Sequence, residues 1–369
     1  MTLSATQATA RGHRAPAAPG DRSAMARRAI AVLLCAFVLV MLVGLGTGPA
    51  FLAPNEVARI LLAGPDGVGG ADTSLADRVI VWQIRLPRVL LGALVGASLA
   101  ICGAVMQGLF RNPLADPGLI GISSGAALAA VATIVLSGGI LAPFAAITGI
   151  YALPIAAFCG GLLTTLLIYR IGTRSGRSSM GLILLAGIAI AALGGALTGF
   201  LLYLSNDQQL RDITFWSLGG LGGASWTKLL AGAPMMLAAI LAAPFLARGL
   251  NGIVLGEAEA FHMGVDVQWL KRASVILVAL ATGAAVAMSG TIGFVGIVVP
   301  HLLRLWIGPD HRALLPASAL GGAILLILAD MVARTVVAPA ELPIGILTAA
   351  LGAPVFLSIL LCRRGFAGL

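Results

Sequence analysis

Residues Arg248 to Arg272 read RGLNGIVLGEAEAFHMGVDVQWLKR, and this polar stretch decides how the rest of the chain is arranged. Its centre, from Gly256 to Gly264, is a run of helix-compatible residues between glycines, which is typical of a short helix with a breaker at each end. Apolar segments long enough to cross a bilayer lie on both sides of it. The stretch is therefore predicted to lie at one membrane face, either as an interfacial loop or as a docking surface for a soluble partner.

The composition of the chain is that of a polytopic membrane protein. Hydrophobic residues make up 59% of it and charged residues only 10%, whereas about a quarter of the residues of a soluble domain are charged. The net charge is +9, but the basic residues stand at the ends of apolar segments and form no stripe with aromatic residues, which argues against a nucleic-acid partner. The four cysteines have no metal-ligand spacing, so we expect neither a metal site nor a cofactor.

Ten membrane spans are predicted from the apolar runs. Residues 1–28, rich in Ala, Pro, Gly and Arg, are predicted to be a disordered cytoplasmic tail, and residues 29–369 to form one domain of ten transmembrane helices. Residues 48–88 are predicted to be the longest polar connection. The spans are expected at about 29–47, 89–109, 118–138, 146–169, 180–204, 229–247, 273–289, 292–306, 313–337 and 342–361.

The charge distribution predicts the orientation of these spans. With both termini inside, 16 Lys and Arg residues lie on the inner side and 7 on the outer side. Six acidic residues lie on the inner side and 8 on the outer side. This is a positive-inside distribution, so the termini and the 248–272 segment are predicted to face the cytoplasm.

The spans carry little that could couple transport to an ion gradient. An ion-coupled secondary transporter usually has acidic or histidine residues deep within its helices. Here the acid well inside a predicted span is Asp330, one helical turn before Arg334, which is typical of a local structural pair. The energy for transport is therefore expected to come from a source outside the membrane spans. The alternative class of protein is an ion-coupled secondary transporter.

Six motifs resemble those of the permease subunits of type II ABC importers, the FecCD-type family that takes up haem, iron-siderophores and cobalamin. They occur in family order from about residue 80 onward, and together they are far more specific than any one of them. They read WQIRLPR (82–88), GAVMQGLFRNPLADPGLIGISSG (103–125), LGEAEAFHMGV (255–265), GTIGFVGIVVPHLLR (290–304), GPDHRALLP (308–316) and AELPIGILTAALGAPVF (340–356).

The resemblance implies a fold and roles for particular residues. It implies an all-α protein of ten transmembrane helices with a short cytoplasmic coupling helix, which docks on the ATPase through Gly256, Glu257, Ala260, Met263 and Gly264. It implies a cytoplasmic gate at Ser178, Ser179 and Met180 and a pathway lined by Gly187, Gly194 and Gly199. It also implies that Arg85, Arg88 and Arg334 receive carboxylates of a binding protein, for which the planar guanidinium is suited.

The resemblance also implies partners and a location. These are two copies of an ABC ATPase, a periplasmic substrate-binding protein, a second copy of the chain and the lipid of the bacterial inner membrane. The chain has no G-x-x-x-x-G-K-[ST] motif, so it is expected to be a permease and not an enzyme, with ATP hydrolysed by a separate chain. Haem is the favoured substrate, from the sequences at 308–312 and 335–345, with an iron-siderophore or cobalamin as the alternatives.

Some motifs also have a simpler interpretation. Arg85 and Arg88 could reach lipid headgroups beside a membrane entry. The sequence Gly121-Ile122-Ser123-Ser124-Gly125 fits the serine-hydrolase pattern G-x-S-x-G, but that pattern requires a preceding strand and the surroundings are predicted to be helical. No catalytic site is therefore expected. His301 is expected to form structural hydrogen bonds and not to ligate haem.

Overall fold

A computed structural model describes residues 22–66, 74–174 and 177–364. In this part of the chain the secondary structure is helical, apart from a two-residue antiparallel pair of β1 (Thr173–Arg174) with β2 (Arg177–Ser178). The α-helices are α1 (Ser23–Gly46), α2 (Pro54–Ala63), α3 (Leu75–Val79), α4 (Leu86–Leu109), α5 (Ile122–Leu136), α6 (Ala142–Thr148), α7 (Ala152–Gly172), α8 (Met180–Tyr203), α9 (Asp207–Leu218), α10 (Trp226–Leu255), α11 (Glu257–His262), α12 (Val267–Ser289), α13 (Val295–Ile307), α14 (His311–Ala333) and α15 (Ile344–Arg364).

Seven helical segments of the described chain are long and apolar enough to cross a membrane. They are Ser23–Gly46, Leu75–Leu109, Ala142–Gly172, Met180–Tyr203, Trp226–Leu255, Val267–Ser289 and His311–Ala333. Three shorter apolar helices lie at Ile122–Leu136, Val295–Ile307 and Ile344–Ser358. The prediction of a helical, polytopic membrane protein is confirmed, and each predicted span overlaps one of these ten segments.

Helix α4 forms the centre of the molecule because its glycines allow other helices to approach its backbone. A Cβ on Gly96 would overlap the carbonyl of Gly322 in α14, and a Cβ on Gly103 would overlap the carbonyl of Gly296 in α13. Small residues at such crossings are how membrane helices gain packing contacts without a hydrophobic driving force between them. Helix α4 is consequently almost entirely buried. In the helical segment Leu75–Leu109, 89% of the apolar stretch lies inside the molecule.

The described parts of the connection predicted over residues 48–88, which are 48–66 and 74–88, are largely helical. They contain α2, whose Val57 and Ile60 are buried, and α3, which continues through a π-helical stretch at Ile80–Arg85 into α4. Helix α1 also begins six residues before the predicted boundary, at Ser23, while residues 1–21 of the predicted tail lie outside the described residues.

Two further helix ends differ from the prediction. Helix α10 continues eight residues beyond the predicted end at 247, as far as Leu255, and stops where Gly256 has a φ of +135°. The predicted short turn at 289–291 is a longer break between α12 and α13, with a φ of +70° at Gly290 and +67° at Phe294. The predicted 248–272 segment thus contains the end of α10, all of α11 and the start of α12.

Candidate functional site: coupling segment, gate and arginine cluster

Helix α11 forms the centre of the polar segment, as the glycine spacing predicted. Gly256 and Gly264 bound it with φ values of +135° and +83°, a region that favours glycine. Ala260 is fully buried against the rest of the chain, while Phe261 and Met263 are 70% and 55% exposed. Helix α11 therefore packs on one side and presents two large apolar side chains on the other. Phe261 was not among the predicted docking residues, although an exposed aromatic residue in a polar segment is a signal for a binding surface.

Glu257 was predicted to contact the ATPase, and in the structure its carboxylate has a basic partner within the chain. The carboxylate of Glu257 accepts a hydrogen bond from Nζ of Lys271 at 2.8 Å. Nζ of Lys271 also donates to the carbonyl oxygen of Ser178 at 3.0 Å. Lys271 is 2% exposed, so its ammonium depends on these two acceptors. We call this three-residue contact of Glu257, Lys271 and Ser178 the Lys271 bridge.

The predicted gate residues lie where the Lys271 bridge ends. Ser178 is buried in β2, its backbone N–H donates to Oε1 of Gln268 at 3.0 Å, and its hydroxyl lies 2.9 Å from that of Tyr169. Ser179 caps α8 by accepting a hydrogen bond from the backbone N–H of Leu182, and Met180 is the first residue of that helix. The structure thus brings the predicted gate and the predicted coupling helix together, and sequence reasoning missed Lys271 and Gln268, which join them.

The predicted pathway glycines lie on one apolar helix, α8. Gly187 and Gly194 are buried, with Ser124 of α5 the neighbour that a Cβ on Gly194 would meet, whereas a Cβ on Gly199 would meet nothing within 4 Å. Helix α8 is the least buried of the seven long apolar segments. Within the chain, therefore, it contributes more open surface than internal packing.

The three predicted docking arginines are buried and bind groups of the chain itself. Both Nε and Nη2 of Arg88 donate to Asp330, at 2.9 and 2.8 Å from Oδ1, while Nη1 donates to Glu341 at 2.7 Å. Arg334 donates to the carbonyl of Gly44 at 2.7 Å, and its Nε lies 3.5 Å from Oδ2 of Asp330. Asp330 is 1% exposed and is held by two arginines, so the predicted local pair with Arg334 is the weaker part of a larger cluster.

Arg85 closes the end of α1. It donates to the carbonyl oxygens of Leu45 and Gly46 at 2.7 and 2.8 Å and also to that of Ala50. The last carbonyls of a helix have no partner within it, so a cation at this end satisfies them and also stabilises the helix dipole. Arg85 and Arg88 neither face lipid nor carry a free guanidinium, because both side chains are buried inside the bundle.

Arg334 lies just beyond the end of α14. Burial lowers the pKa of its guanidinium from the ordinary value, and the nearby carboxylate of Asp330 opposes that effect. A docking role for these three arginines stays a prediction. It requires a carboxylate of the partner to replace an internal acceptor.

The serine motif begins a helix and follows no strand. Residues 117–120 form a 3₁₀ turn, Gly121 has a φ of +77°, and α5 begins at Ile122. The expectation of helical surroundings is confirmed. Among the described residues no group of three or more His, Cys, Asp and Glu side chains is arranged to hold a metal ion.

Residues 34–362 match the model of the FecCD transport family. The chain belongs to the FecCD transport family. The predicted resemblance to the permeases of type II ABC importers is thereby confirmed.

Curated and solved relatives of this FecCD chain agree with the family match. It is 47% identical to the hemin transport system permease protein HmuU of Yersinia pestis, over 90% of this chain and 96% of that one. It is 44% identical to the cobalamin import system permease protein BtuC of Halobacterium salinarum, over 84% and 80% of the two chains. A solved structure described as an inward-facing conformation of a putative metal-chelate type ABC transporter is 32% identical, with a TM-score of 0.77, over 91% of this chain and 99% of that one. These relatives are permeases and transporters, so the FecCD chain is a permease and not an enzyme.

Proposed function

We propose that this chain is the membrane permease subunit of an ATP-driven importer that passes haem from a periplasmic binding protein to the cytoplasm. In this proposal the seven long and three shorter apolar helices cross the bacterial inner membrane ten times. This one domain begins with α1 at Ser23, the tail precedes it, and α11 is the coupling helix within the segment 248–272.

The observation that carries the proposal is the Lys271 bridge. A movement of α11 pulls on Glu257, and Lys271 is bonded to both Glu257 and the backbone of Ser178. Because the lysine is buried, it cannot exchange these acceptors for water without leaving its site. A force applied at the coupling helix therefore reaches the gate turn directly through two hydrogen bonds.

The exposed side of α11 supports docking of an ATPase. Phe261 and Met263 together offer an apolar contact, and aromatic and methionine side chains are enriched in the buried centres of protein interfaces. Gly264 adds no side chain to this surface, and a Cβ on it would meet nothing within 4 Å. Gly256 and Ala260 are buried and allow α11 to pack closely on the chain instead. In this proposal two ATPase chains bind two copies of the permease.

The open side of α8 supports a homodimer with the pathway between the copies. Most of α8 is unburied within one chain, and Gly199, where a Cβ would meet nothing within 4 Å, leaves room for a second helix or a bulky ligand. Gly187 and Gly194 are buried within the chain, so a pathway role for them requires α8 to move. In this proposal α8 of a second copy forms the other side of the pathway.

The orientation follows from the charges. The helix ends at Ser23, Leu255, Val267 and His311 share the face that carries α11, and this face contains the excess of arginine. The positive-inside rule places it in the cytoplasm together with both termini. The arginine cluster then lies on the periplasmic side.

On the periplasmic side we propose docking of the binding protein at the arginine cluster. Glu341 is the accessible acceptor of this cluster, since its side chain is 45% exposed while that of Arg88 is 7% exposed. A carboxylate of the binding protein that displaced Glu341 would meet Arg88 already held in place by Asp330. The guanidinium of Arg88 binds carboxylates bidentately in the way such docking requires.

An ion-coupled transporter receives less support. The one acid deep in a predicted span, Asp330, is bound by Arg88 and lies close to Arg334, so its carboxylate is held as a structural ion rather than as a proton carrier.

Haem is proposed as the substrate, with cobalamin and iron-siderophores as the competing ligands. Support comes from the 47% identity to the hemin permease, which is close to the 44% identity to the cobalamin permease. The test is ATP hydrolysis by the reconstituted complex after addition of binding protein loaded with haem, cobalamin or a ferric siderophore, with unloaded binding protein as the control. Stimulation by the haem-loaded form alone supports the proposal, and stimulation by another loaded form alone rejects haem.

A further inference from the structure

A cavity of about 700 Å³ opens on the same face of the molecule as α11. It lies between the start of α1 and the turn that joins α13 to α14. Three arginines stand around it, Arg22 and Arg27 from the start of α1 and Arg312 from the first turn of α14. The carbon stem of Arg22 lies against Gly308. The rest of the wall is mainly apolar and includes Ala26, Ile30, Val254, Ile307, Pro309 and Ala313.

The positive charge of this cavity is compensated only in part by the described residues around it. The ion pairs of the described chain leave out the guanidiniums of Arg22, Arg27 and Arg312. The one acid among the lining residues is Asp310, whose Oδ1 already accepts hydrogen bonds from Nδ2 of Asn251 at 2.6 Å and from the backbone N–H of Arg312 at 2.9 Å. An anion entering the cavity would therefore meet three guanidiniums and the single carboxylate of Asp310, so positive charge predominates.

The combination of charge, shape and position identifies the class of ligand. Arginine binds phosphate oxygens through its planar fork, and basic pockets between membrane helices at the cytoplasmic side bind anionic lipid headgroups. A free phosphate ion would use the arginines but leave the apolar wall empty, whereas a phospholipid uses both. We propose that this cavity binds the phosphate of an anionic phospholipid, with its acyl chains along the apolar wall. The lipid would tie the start of α1 to the turn between α13 and α14.

The test measures which lipids stay on the purified chain. The chain is extracted from bilayers that contain equal amounts of phosphatidylglycerol and phosphatidylcholine, and the retained lipid is identified by native mass spectrometry. The variant carries Arg22→Gln, Arg27→Gln and Arg312→Gln. The matched control carries Arg111→Gln, Arg170→Gln and Arg248→Gln, three exposed arginines of the same face that lie outside the cavity. All six side chains are exposed, so elution as a single species in gel filtration serves as the check on folding.

The wild-type chain and the control should retain phosphatidylglycerol in preference to phosphatidylcholine. Each basic residue near an anionic lipid contributes roughly fivefold to binding, so the cavity variant should bind phosphatidylglycerol roughly a hundredfold more weakly. Equal retention by the wild type and the cavity variant would overturn the proposal. Displacement of the lipid by excess inorganic phosphate would indicate a free phosphate site instead. Displacement by an added ATPase subunit would indicate that the cavity is part of a protein interface.

Discussion

Lys271 and Ser178 are 93 positions apart in the chain, yet Nζ of Lys271 donates a hydrogen bond to the carbonyl oxygen of Ser178 at 3.0 Å. The same nitrogen lies 2.8 Å from Oε2 of Glu257, in the helix that we propose docks on the ATPase. One buried ammonium thus holds the coupling helix and the gate turn at a fixed separation. The predictions below begin with this contact.

Replacing Lys271 by methionine should uncouple transport from ATP hydrolysis. Methionine is similar in volume but donates no hydrogen bond, so Glu257 turns to water and the Ser178 carbonyl loses its donor. Transport per ATP should fall roughly tenfold, within the range of coupling between sites, while basal hydrolysis stays within about twofold. Both rates are measured on the reconstituted complex.

Two variants serve as controls for this prediction. Lys271→Arg keeps the charge and the donors and should retain most of the coupling. Lys228→Met changes the chain's other lysine, at the opposite end of the molecule, and should leave the ratio of transport to hydrolysis unchanged. An unchanged ratio in a well-folded Lys271→Met complex would show that the bridge carries no coupling.

An acidic residue at position 261 should prevent binding of the ATPase without disturbing the fold. Phe261 is 70% exposed, so Phe261→Asp places a charge on the docking surface but creates no cavity. Loss of an aromatic anchor typically weakens an interface by about 2 kcal/mol or more, which is roughly thirtyfold in affinity. Co-purification of the tagged ATPase measures the effect.

The control for this variant is Val336→Asp, the same kind of change at an exposed position on the opposite side of the molecule. It should co-purify with the ATPase as the wild type does. Equal recovery of the ATPase with Phe261→Asp would place the docking surface elsewhere.

Removing Arg88 should destabilise the fold because it leaves Asp330 with little compensation. Loss of one partner of a buried ion pair typically costs about 3–5 kcal/mol, although Arg334 reduces this penalty. Arg88→Met together with Asp330→Leu should recover part of the loss. Denaturant unfolding in detergent measures the free energies, with exposed Arg59→Met as a control that shifts the free energy by less than about 0.5 kcal/mol. A shift as small for Arg88→Met would mean that the cluster is not structural.

Arg85→Gln should loosen the end of α1 without unfolding the bundle. Three backbone carbonyls between Leu45 and Ala50 lose their charged donor, while the apolar contacts of α1 remain. Hydrogen exchange measured by mass spectrometry should therefore accelerate in peptides that cover residues 44–52 and stay unchanged in α12. Equal exchange of residues 44–52 in the variant and the wild type would contradict this account of Arg85.

The helices could be predicted from sequence where a long apolar run decides the structure. Helix α8 runs over Met180–Tyr203, against a predicted span of 180–204, because its twenty-odd apolar residues allow no alternative within a membrane. The glycines at 256 and 264 likewise bound a short helix, since each has a backbone conformation that favours glycine.

The sequence could not reveal contacts between distant segments. Arg85 reads as a membrane-edge or docking residue because its partners, the carbonyls near Leu45, lie about 40 positions away and carry no side-chain signal. Glu257 reads as a free charge for the same reason. Lys271 lies only 14 positions further on, but α11 ends and α12 begins between the two residues. Their contact depends on the angle between these two helices, which the sequence does not show.

The most direct test of the account is uptake into proteoliposomes that contain the permease and its ATPase, with ligand-loaded binding protein outside. Uptake should require ATP inside, and it should continue when a protonophore collapses the proton gradient. The Lys271→Met complex should hydrolyse ATP under the same conditions and accumulate roughly tenfold less ligand. Wild-type uptake that stops with the protonophore while ATP is held constant would contradict the account, since the chain would then be driven by ions.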